Sequence, residues 1–292
     1  MAIHSRILHN GRIRGASEAI LSPGQLGFLA GWGIFTTLRV KDGALFAWDR
    51  HWARMSRDAR GISLPMPSSP DPLEEDLLRL IESNGRPDCT LRLVMVRNHG
   101  GMWENEGARE RAVDIIAMTA DSKQWGDSVR LDVQPNGRFA AGEFAGAKLV
   151  SWAQNLTWAE RAHQRGFDET VLLNEERRVA ECTSANIFAV FGTRVLTPPL
   201  SDGCLPGITR EVLLGEVGVP GVSVEESRLT LEDLYRADSV FITSTTRDLL
   251  GVREIGGNLL GNDGTVREAL SVEFQKFVAR DLAARRTVAE PV

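Results

Sequence analysis

Apolar positions change their period several times along the chain, and each change predicts an element. Around Ile7 and Leu8 a short strand runs into Asn10-Gly11, a tight-turn dipeptide, and a return strand is expected after it. The stretch Gly27–Val40 is apolar and β-branched and stops at the Lys41-Asp42-Gly43 turn. Ala44–Trp48 then reads as a short strand. Beyond Asp49, an expected N-cap, Trp52, Met55, Ala59 and Ile62 recur at helical spacing. Pro65, Pro67, Pro70 and Pro72 end that unit, and a second helix is expected at about Leu73–Ser83. Thr90–Arg97 and Val113–Thr119 read as paired strands flanking a glycine-rich loop, Asn98–Gly107.

The polar stretch Asp121–Asp127 reads as a linker. It separates a smaller N-terminal α/β domain, residues 1–120, from a larger C-terminal domain, residues 128–292. Past it, Val129, Leu131 and Val133 alternate as a strand. A helix of about Ser151–Arg165 ends at Gly166. Thr170–Leu173 and Val179–Phe191 read as a hairpin around the charged turn Glu175–Arg178. Glu211–Val217 reads as a short helix and Ser239–Thr243 as a buried strand. Helices and strands mix without strict βαβ alternation, which predicts an α+β fold.

Composition narrows the function classes. The chain has 292 residues, a net charge of −5, 42% hydrophobic and 25% charged residues, the profile of a globular protein. Its arginines are spread without a basic run, so no nucleic-acid partner is expected. No apolar stretch approaches the roughly 18 residues of a membrane span, and no signal peptide is expected at the N-terminus. Cys89, Cys182 and Cys204 are too widely spaced for a disulfide framework or a zinc site, so a cytoplasmic location is expected. The histidines are scattered without metal-ligand spacing, so no metal is expected. Walker A, HExxH and GxSxG patterns are absent from the sequence. Gly31-Trp32-Gly33 begins like a dinucleotide fingerprint, but Thr36 stands where its third glycine belongs.

Four segments carry candidate chemistry. Only Lys41, Lys123, Lys148 and Lys276 could supply a lysine amine. Lys148 follows Gly146-Ala147 and precedes Leu149-Val150, surroundings that desolvate an amine and favour its nucleophilic form. The alternative is a surface lysine that buries only its stem. Glu181 shares one strand face with Val179 and Thr183, and if buried there it needs a cationic partner; otherwise it is an exposed strand residue. Pro206-Gly207-Ile208-Thr209 opens a helix whose free N–H groups suit an anion, or form a plain cap. Thr243-Ser244-Thr245-Thr246 places hydroxyls at a strand end, as an anion site or a polar turn. A lysine amine, a carboxylate and an anion cradle are together what pyridoxal phosphate needs.

In these segments the chain resembles the class IV aminotransferases, the fold-type IV pyridoxal-phosphate enzymes. Branched-chain and D-amino acid aminotransferases and aminodeoxychorismate lyases belong to that family. Gly31-Trp32-Gly33-Ile34-Phe35-Thr36-Thr37-Leu38-Arg39 resembles its N-terminal glycine/aromatic motif, and His51-Trp52-Ala53-Arg54-Met55 its His-x-x-Arg-Leu helix. Ala180–Phe188 resembles its Glu-x-x-x-x-Asn-Ile/Leu-Phe strand. Gly207-Ile208-Thr209-Arg210 and Thr243–Thr246 resemble its two phosphate segments.

The resemblance implies a D-amino acid aminotransferase-like fold of two domains, with pyridoxal 5'-phosphate between them. It implies that Lys148 forms the Schiff base and then shuttles the substrate proton, and that Glu181 faces the pyridine nitrogen. Arg54, the N–H groups of Ile208 and Thr209, and Thr245 would hold the phosphate. Thr36, Arg92 and Thr246 are the substrate candidates. Arg97 points to the opposite strand face from Arg92; Arg97-Asn98-His99 resembles an Arg-Asn-His sequence of D-amino acid aminotransferases but is shifted along the strand, so no role is carried over to it. Arg247, after the hydroxyl run, offers a further carboxylate partner or, the favoured reading, an exposed turn arginine. The implied activity is amino transfer between an amino acid, of branched-chain or D-amino acid type, and a 2-oxo acid, by a homodimer. Phe35-Thr36-Thr37 also resembles aminodeoxychorismate lyases, which makes release of pyruvate from 4-amino-4-deoxychorismate the alternative. However, Gly100-Gly101-Met102-Trp103-Glu104 lacks the arginine expected after the glycines of those lyases. A non-catalytic ligand-binding relative is the third reading, and Lys148 with Glu181 argues against it. Many relatives carry tyrosine where Ala30 and Trp152 stand, and asparagine where Ser151 stands. An indole N–H donates a hydrogen bond but cannot accept one.

Overall fold

The computed structural model describes residues 2–18, 24–99 and 111–289. The chain forms two compact units. The first comprises Met1–Lys123 together with Lys148–Trp152 and Arg280–Val292, and the second Gln124–Ala147 with Ala153–Ala279. Lys148, assigned with the C-terminal domain on sequence order, thus packs with the first unit.

In the first unit, β1 (Ile3–His9), β2 (Arg12–Gly15), β3 (Gly33–Lys41), β4 (Ala44–Leu45), β5 (Cys89–Arg97) and β6 (Val113–Ala120) form one sheet. Its order is β2-β1-β6-β5-β3-β4, and every pairing is antiparallel. Helices α2 (Trp48–Gly61) and α3 (Asp71–Asn84) pack on it, α2 against β3 and α3 against β1. Their apolar stripes meet the alternating inward residues of the strands in one core that includes Leu38, Trp48, Met55, Leu77, Leu80 and Leu91.

Three local expectations change here. Gly27–Val40 divides into a short helix, α1 (Leu26–Ala30), and β3, because the β-branched residues begin only at Ile34. Gly31 closes α1 in the left-handed region at φ 64°. The N-cap of α2 is Ala47, not Asp49, and it too is left-handed at φ 53°. Its N–H donates to Asp281 Oδ2 at 2.8 Å, while Asp49 sits in the first turn and pairs with Arg285 at 2.8 Å. The strand expected at Ala44–Trp48 is correspondingly reduced to two residues. The glycine-rich loop lies mostly outside the described residues.

The second unit holds a nine-stranded mixed sheet. Its strands are β7 (Ser128–Gln134), β8 (Glu169–Leu173), β9 (Val179–Cys182), β10 (Asn186–Phe191), β11 (Arg194–Thr197), β12 (Ser223–Glu226), β13 (Ser239–Ser244), β14 (Asp248–Ile255) and β15 (Asn258–Leu259). The order is β12-β11-β10-β13-β14-β7-β8-β9, with β15 paired to β14. Helix α4 (Ala153–Gln164) packs on β7 and β8, and α5 (Ile208–Gly215) on β12 and β13. Two further helices follow, α6 (Leu231–Arg236) and α7 (Thr265–Ala289). The expected Val179–Phe191 strand is two strands. β9 forms the hairpin with β8, whereas β10 pairs with β11 and β13.

The break has a polar cause. Thr183 and Ser184 give their hydroxyl protons to Glu169, and Arg247 Nη2 pairs with the same carboxylate at 3.2 Å. A buried acid with three donors holds the chain in a turn where an apolar run would continue a strand. Among the described residues, no helix is long and apolar enough to cross a membrane.

Candidate active site

Each unit carries a cluster of candidate residues. In the first, Lys148 reaches the sheet through its backbone. β4 covers only the far end of β3, leaving the Gly33–Phe35 end with an open edge. Leu149 pairs antiparallel with Ile34. Phe35 N–H donates to Lys148 O at 3.1 Å, and Val150 N–H to Gly33 O at 2.9 Å. The Lys148 N–H donates to Asp58 Oδ2 at 3.1 Å. This approach explains Gly31, since a Cβ there would lie 2.9 Å from that of Ser151. The lysine is thus fixed at its Cα, and its half-buried amine lies 4.6 Å from the Phe35 ring centroid and 4.8 Å from that of Trp152. The two rings meet edge to face, 5.4 Å apart at 87°.

Around it, α2 presents His51, Arg54 and Asp58 to the core. Arg54 Nη2 donates to Thr36 Oγ1 at 2.9 Å, and Thr36 Oγ1 is 2.7 Å from His51 Nδ1. Thr36, a substrate candidate on sequence, is fully buried, with its hydroxyl engaged by these two side chains. Arg92 lies on β5 opposite Thr37, and its guanidinium stands 4.6 Å from the centroid of the Phe35 ring. Arg97 is committed elsewhere. It donates to the carbonyls of His99 and Ser63 and stacks on Trp32 at 4.5 Å.

Burial, and after it the charges of Arg54, Lys148 and Arg285, hold the pKa of His51 well below 6.5. The folded chain therefore refuses a proton that the unfolded chain accepts. Above about pH 6.5 neither state binds it, and this site leaves stability unchanged. Below that pH, stability should fall by up to about 1.4 kcal/mol per pH unit until the folded pKa is passed. Denaturant unfolding at about pH 7.5 and about pH 5.5 checks this against His51→Leu, which should lose less stability on acidification than the wild type. Equal losses would assign the effect to other groups.

In the second unit, Glu181 on β9 is 5% exposed and fully engaged. Its Oε1 accepts from Arg138 Nε at 3.0 Å and Nη2 at 2.9 Å, and its Oε2 from the Leu205 N–H at 3.1 Å. Arg138 also donates to Asn155 Oδ1 at 3.2 Å, and Asn155 in turn donates to Thr183 O at 2.6 Å. Glu181 thus has the cationic partner its burial demands, and Oε2, with one donor, keeps a lone pair for another.

Leu205 begins the segment that enters α5. Asn186 Nδ2 donates to Leu205 O at 2.8 Å, and a Cβ on Gly207 would come within 2.0 Å of Asn186 Oδ1, so a larger residue would have to displace that amide. Gly207 is the N-cap, and no side chain caps the helix. Its first turn holds Ile208 and Thr209, both buried, and Thr209 Oγ1 has no hydrogen-bond partner among the described residues. A buried orphan hydroxyl beside uncapped N–H groups fits an anion such as a phosphate.

Thr245 and Thr246 lie in the turn between β13 and β14, while Thr243 pairs in register with Asn186. Arg247, weighed as a carboxylate partner, is held by Glu169 and Ser184 and lies 4.2 Å from the Trp125 centroid. Among the described residues, no group of three or more His, Cys, Asp or Glu side chains could hold a metal ion.

Sequence reasoning missed Asp58, Arg138 and Glu169. Asp58 was within reach, because an acid four residues after Arg54 falls on the apolar face of an amphipathic helix. Arg138 gave no such signal. It lies in an irregular segment 43 residues from its partner.

The model of the amino-transferase class IV family matches residues 33–255. The chain belongs to the class IV aminotransferase family. A D-alanine aminotransferase of Bacillus licheniformis is 27% identical over 297 residues, covering 95% of this chain and 99% of that protein. A branched-chain-amino-acid aminotransferase of Pseudomonas aeruginosa is 25% identical over 261 residues, covering 85% of each. Among solved structures, a branched-chain aminotransferase of Thermoproteus uzoniensis superposes with a TM-score of 0.84 at 24% identity, covering 95% of this chain and 96% of that one, which establishes the shared fold.

Proposed function

We propose that the chain transfers an amino group between an amino acid, of branched-chain or D-amino acid type, and a 2-oxo acid, with Lys148 and Glu181 as its catalytic residues. The observation that carries this reading is the family match, which spans both residues and every other candidate position from Thr36 to Thr246. The cofactor of this chemistry is pyridoxal 5'-phosphate, whose aldehyde takes the amino group and whose ring accepts electron density from the substrate Cα.

Lys148 holds the cofactor through Nζ and moves the proton at the substrate Cα. Its fixed Cα and flanking aromatic rings support that role. Glu181 holds a proton at the ring nitrogen, and Arg138 fixes the carboxylate for it. Arg54, the N–H groups of Ile208 and Thr209, and Thr245 bind the phosphate. The orphan hydroxyl of Thr209 and the uncapped start of α5 support this cradle. Arg92 receives the substrate carboxylate, a reading supported by the Phe35 ring that it shares with the lysine amine, and Thr246 assists. Trp152 supplies a donor, and no acceptor, where relatives place tyrosine.

A donor screen tests the reaction. Under the proposal a single amino acid donor bleaches the visible absorbance of the loaded protein, and pyruvate or 2-oxoglutarate restores it. If no donor does so while 4-amino-4-deoxychorismate yields pyruvate, the chain is a lyase. A protein that stays colourless with added cofactor is neither. The reading includes a homodimer, supported by the exposed apolar side chains Phe28 and Leu29 on α1. Sedimentation equilibrium should return twice the chain mass, and a single chain mass would end that part. It also includes a cytoplasmic location, supported by three buried, unpaired cysteines. Fractionation that finds the protein outside the cytoplasm would end that part.

A further inference from the structure

Thr36 and His51 are each 0% exposed, at positions where an apolar side chain would fill the core without a polar cost. Burying polar groups that lack partners costs about 1–3 kcal/mol each. His51 Nε2 bears such a cost, because it has no hydrogen-bond partner among the described residues. What the pair does with its remaining atoms is specific. Arg54 Nη2 donates to Thr36 Oγ1 at 2.9 Å, and the hydroxyl proton then has His51 Nδ1, 2.7 Å away, as its acceptor. This arrangement needs a neutral imidazole, which the depressed pKa of His51 supplies.

A threonine suits this place electrostatically. A carboxylate would hold the guanidinium as firmly but would cancel its charge. A hydroxyl oxygen fixes the plane of the fork and adds no negative charge of its own. We propose that Thr36 and His51 are positioning residues that aim Arg54, and so set how strongly the chain prefers a phosphorylated ligand to the same ligand without its phosphate. This rests on the reading of Arg54 as a phosphate partner and goes beyond it, by assigning the preference to two residues that touch no ligand.

The test is binding of pyridoxal 5'-phosphate and of pyridoxal to the full chain freed of cofactor, followed by absorbance titration, with the ratio of the two affinities as readout. Thr36→Val, which exchanges the hydroxyl for a methyl of similar size, should lower that ratio about tenfold. Thr36→Ser should stay within about twofold of wild type, because the oxygen is restored. His51→Leu leaves Oγ1 in place but removes its acceptor, and should lower the ratio about threefold. General loosening of the fold weakens both ligands together and leaves the ratio unmoved.

If Thr36→Val does not fold, the His51→Leu ratio decides. If the ratio stays at the wild-type value in the folded variants while Arg54→Leu lowers it, the positioning role is overturned. If Arg54→Leu also leaves it unchanged, the assignment of Arg54 to the phosphate is what fails, and the proposal falls with it.

Discussion

Lys148→Ala should abolish turnover, with a loss of about a thousandfold or more, because the other three lysines cannot replace an amine fixed at this point. The backbone pairing of Leu149 with Ile34 and the Asp58 contact involve main-chain atoms of the segment, so the variant should fold and bind its phosphorylated ligand non-covalently. The checks are kcat with a productive donor and acceptor, and borohydride treatment of the loaded protein. Borohydride should fix cofactor mass to the wild-type peptide containing Lys148 and to no peptide of the variant. Attachment at Lys41, Lys123 or Lys276 in the wild type would move the catalytic role to another lysine.

Glu181→Gln should behave differently. The carboxamide is nearly isosteric and keeps an oxygen for Arg138 or Leu205, so cofactor should remain bound. Turnover should fall by about a hundredfold, because an uncharged amide no longer stabilises positive charge at the ring nitrogen. The substitution also leaves the Arg138 guanidinium, 16% exposed, without its carboxylate, so a modest loss of thermal stability should accompany it. Adding Arg138→Gln separates the two effects, since it removes the stranded charge. Stability should partly recover and turnover should not. Near-normal kcat in Glu181→Gln, with cofactor bound, would remove Glu181 from the mechanism.

What the sequence revealed follows from the range of the forces involved. α2 and α3 were legible because their apolar stripes are local and periodic, and α4 because Gly166 stops it in the left-handed region at φ 83°. The start of α2 was not. Its cap is an alanine whose N–H is taken by Asp281, a residue 234 positions away. No local pattern encodes such a partner. The turn between β9 and β10 was hidden for a related reason. Val179–Phe191 looks continuous, and Glu169 and Arg247, which hold Thr183 and Ser184 out of the ladder, come from β8 and from the turn between β13 and β14.

The same contrast applies to the candidate residues. The environment of Lys148 was read as apolar from Gly146, Ala147 and Leu149 beside it, whereas the rings nearest its amine are Phe35, far along the chain, and Trp152. The motif around Thr36 suggests a substrate contact. The burial of that threonine against Arg54 and His51 depends on how β3 and α2 pack, which the motif does not state.

The open end of β3 has a consequence for biosynthesis. A nascent chain emerging from the ribosome completes all six strands of the first sheet by Ala120, yet the Gly33–Phe35 rim stays unpaired until residues 148–150 have been made. During that interval the growing polypeptide carries a bare rim able to pair with a neighbour on the same polysome, and a chain truncated before Lys148 keeps it permanently. Lys148, the proposed nucleophile, therefore travels on the stitch that seals this seam, and a copy that never closes it lacks both the protection and that amine.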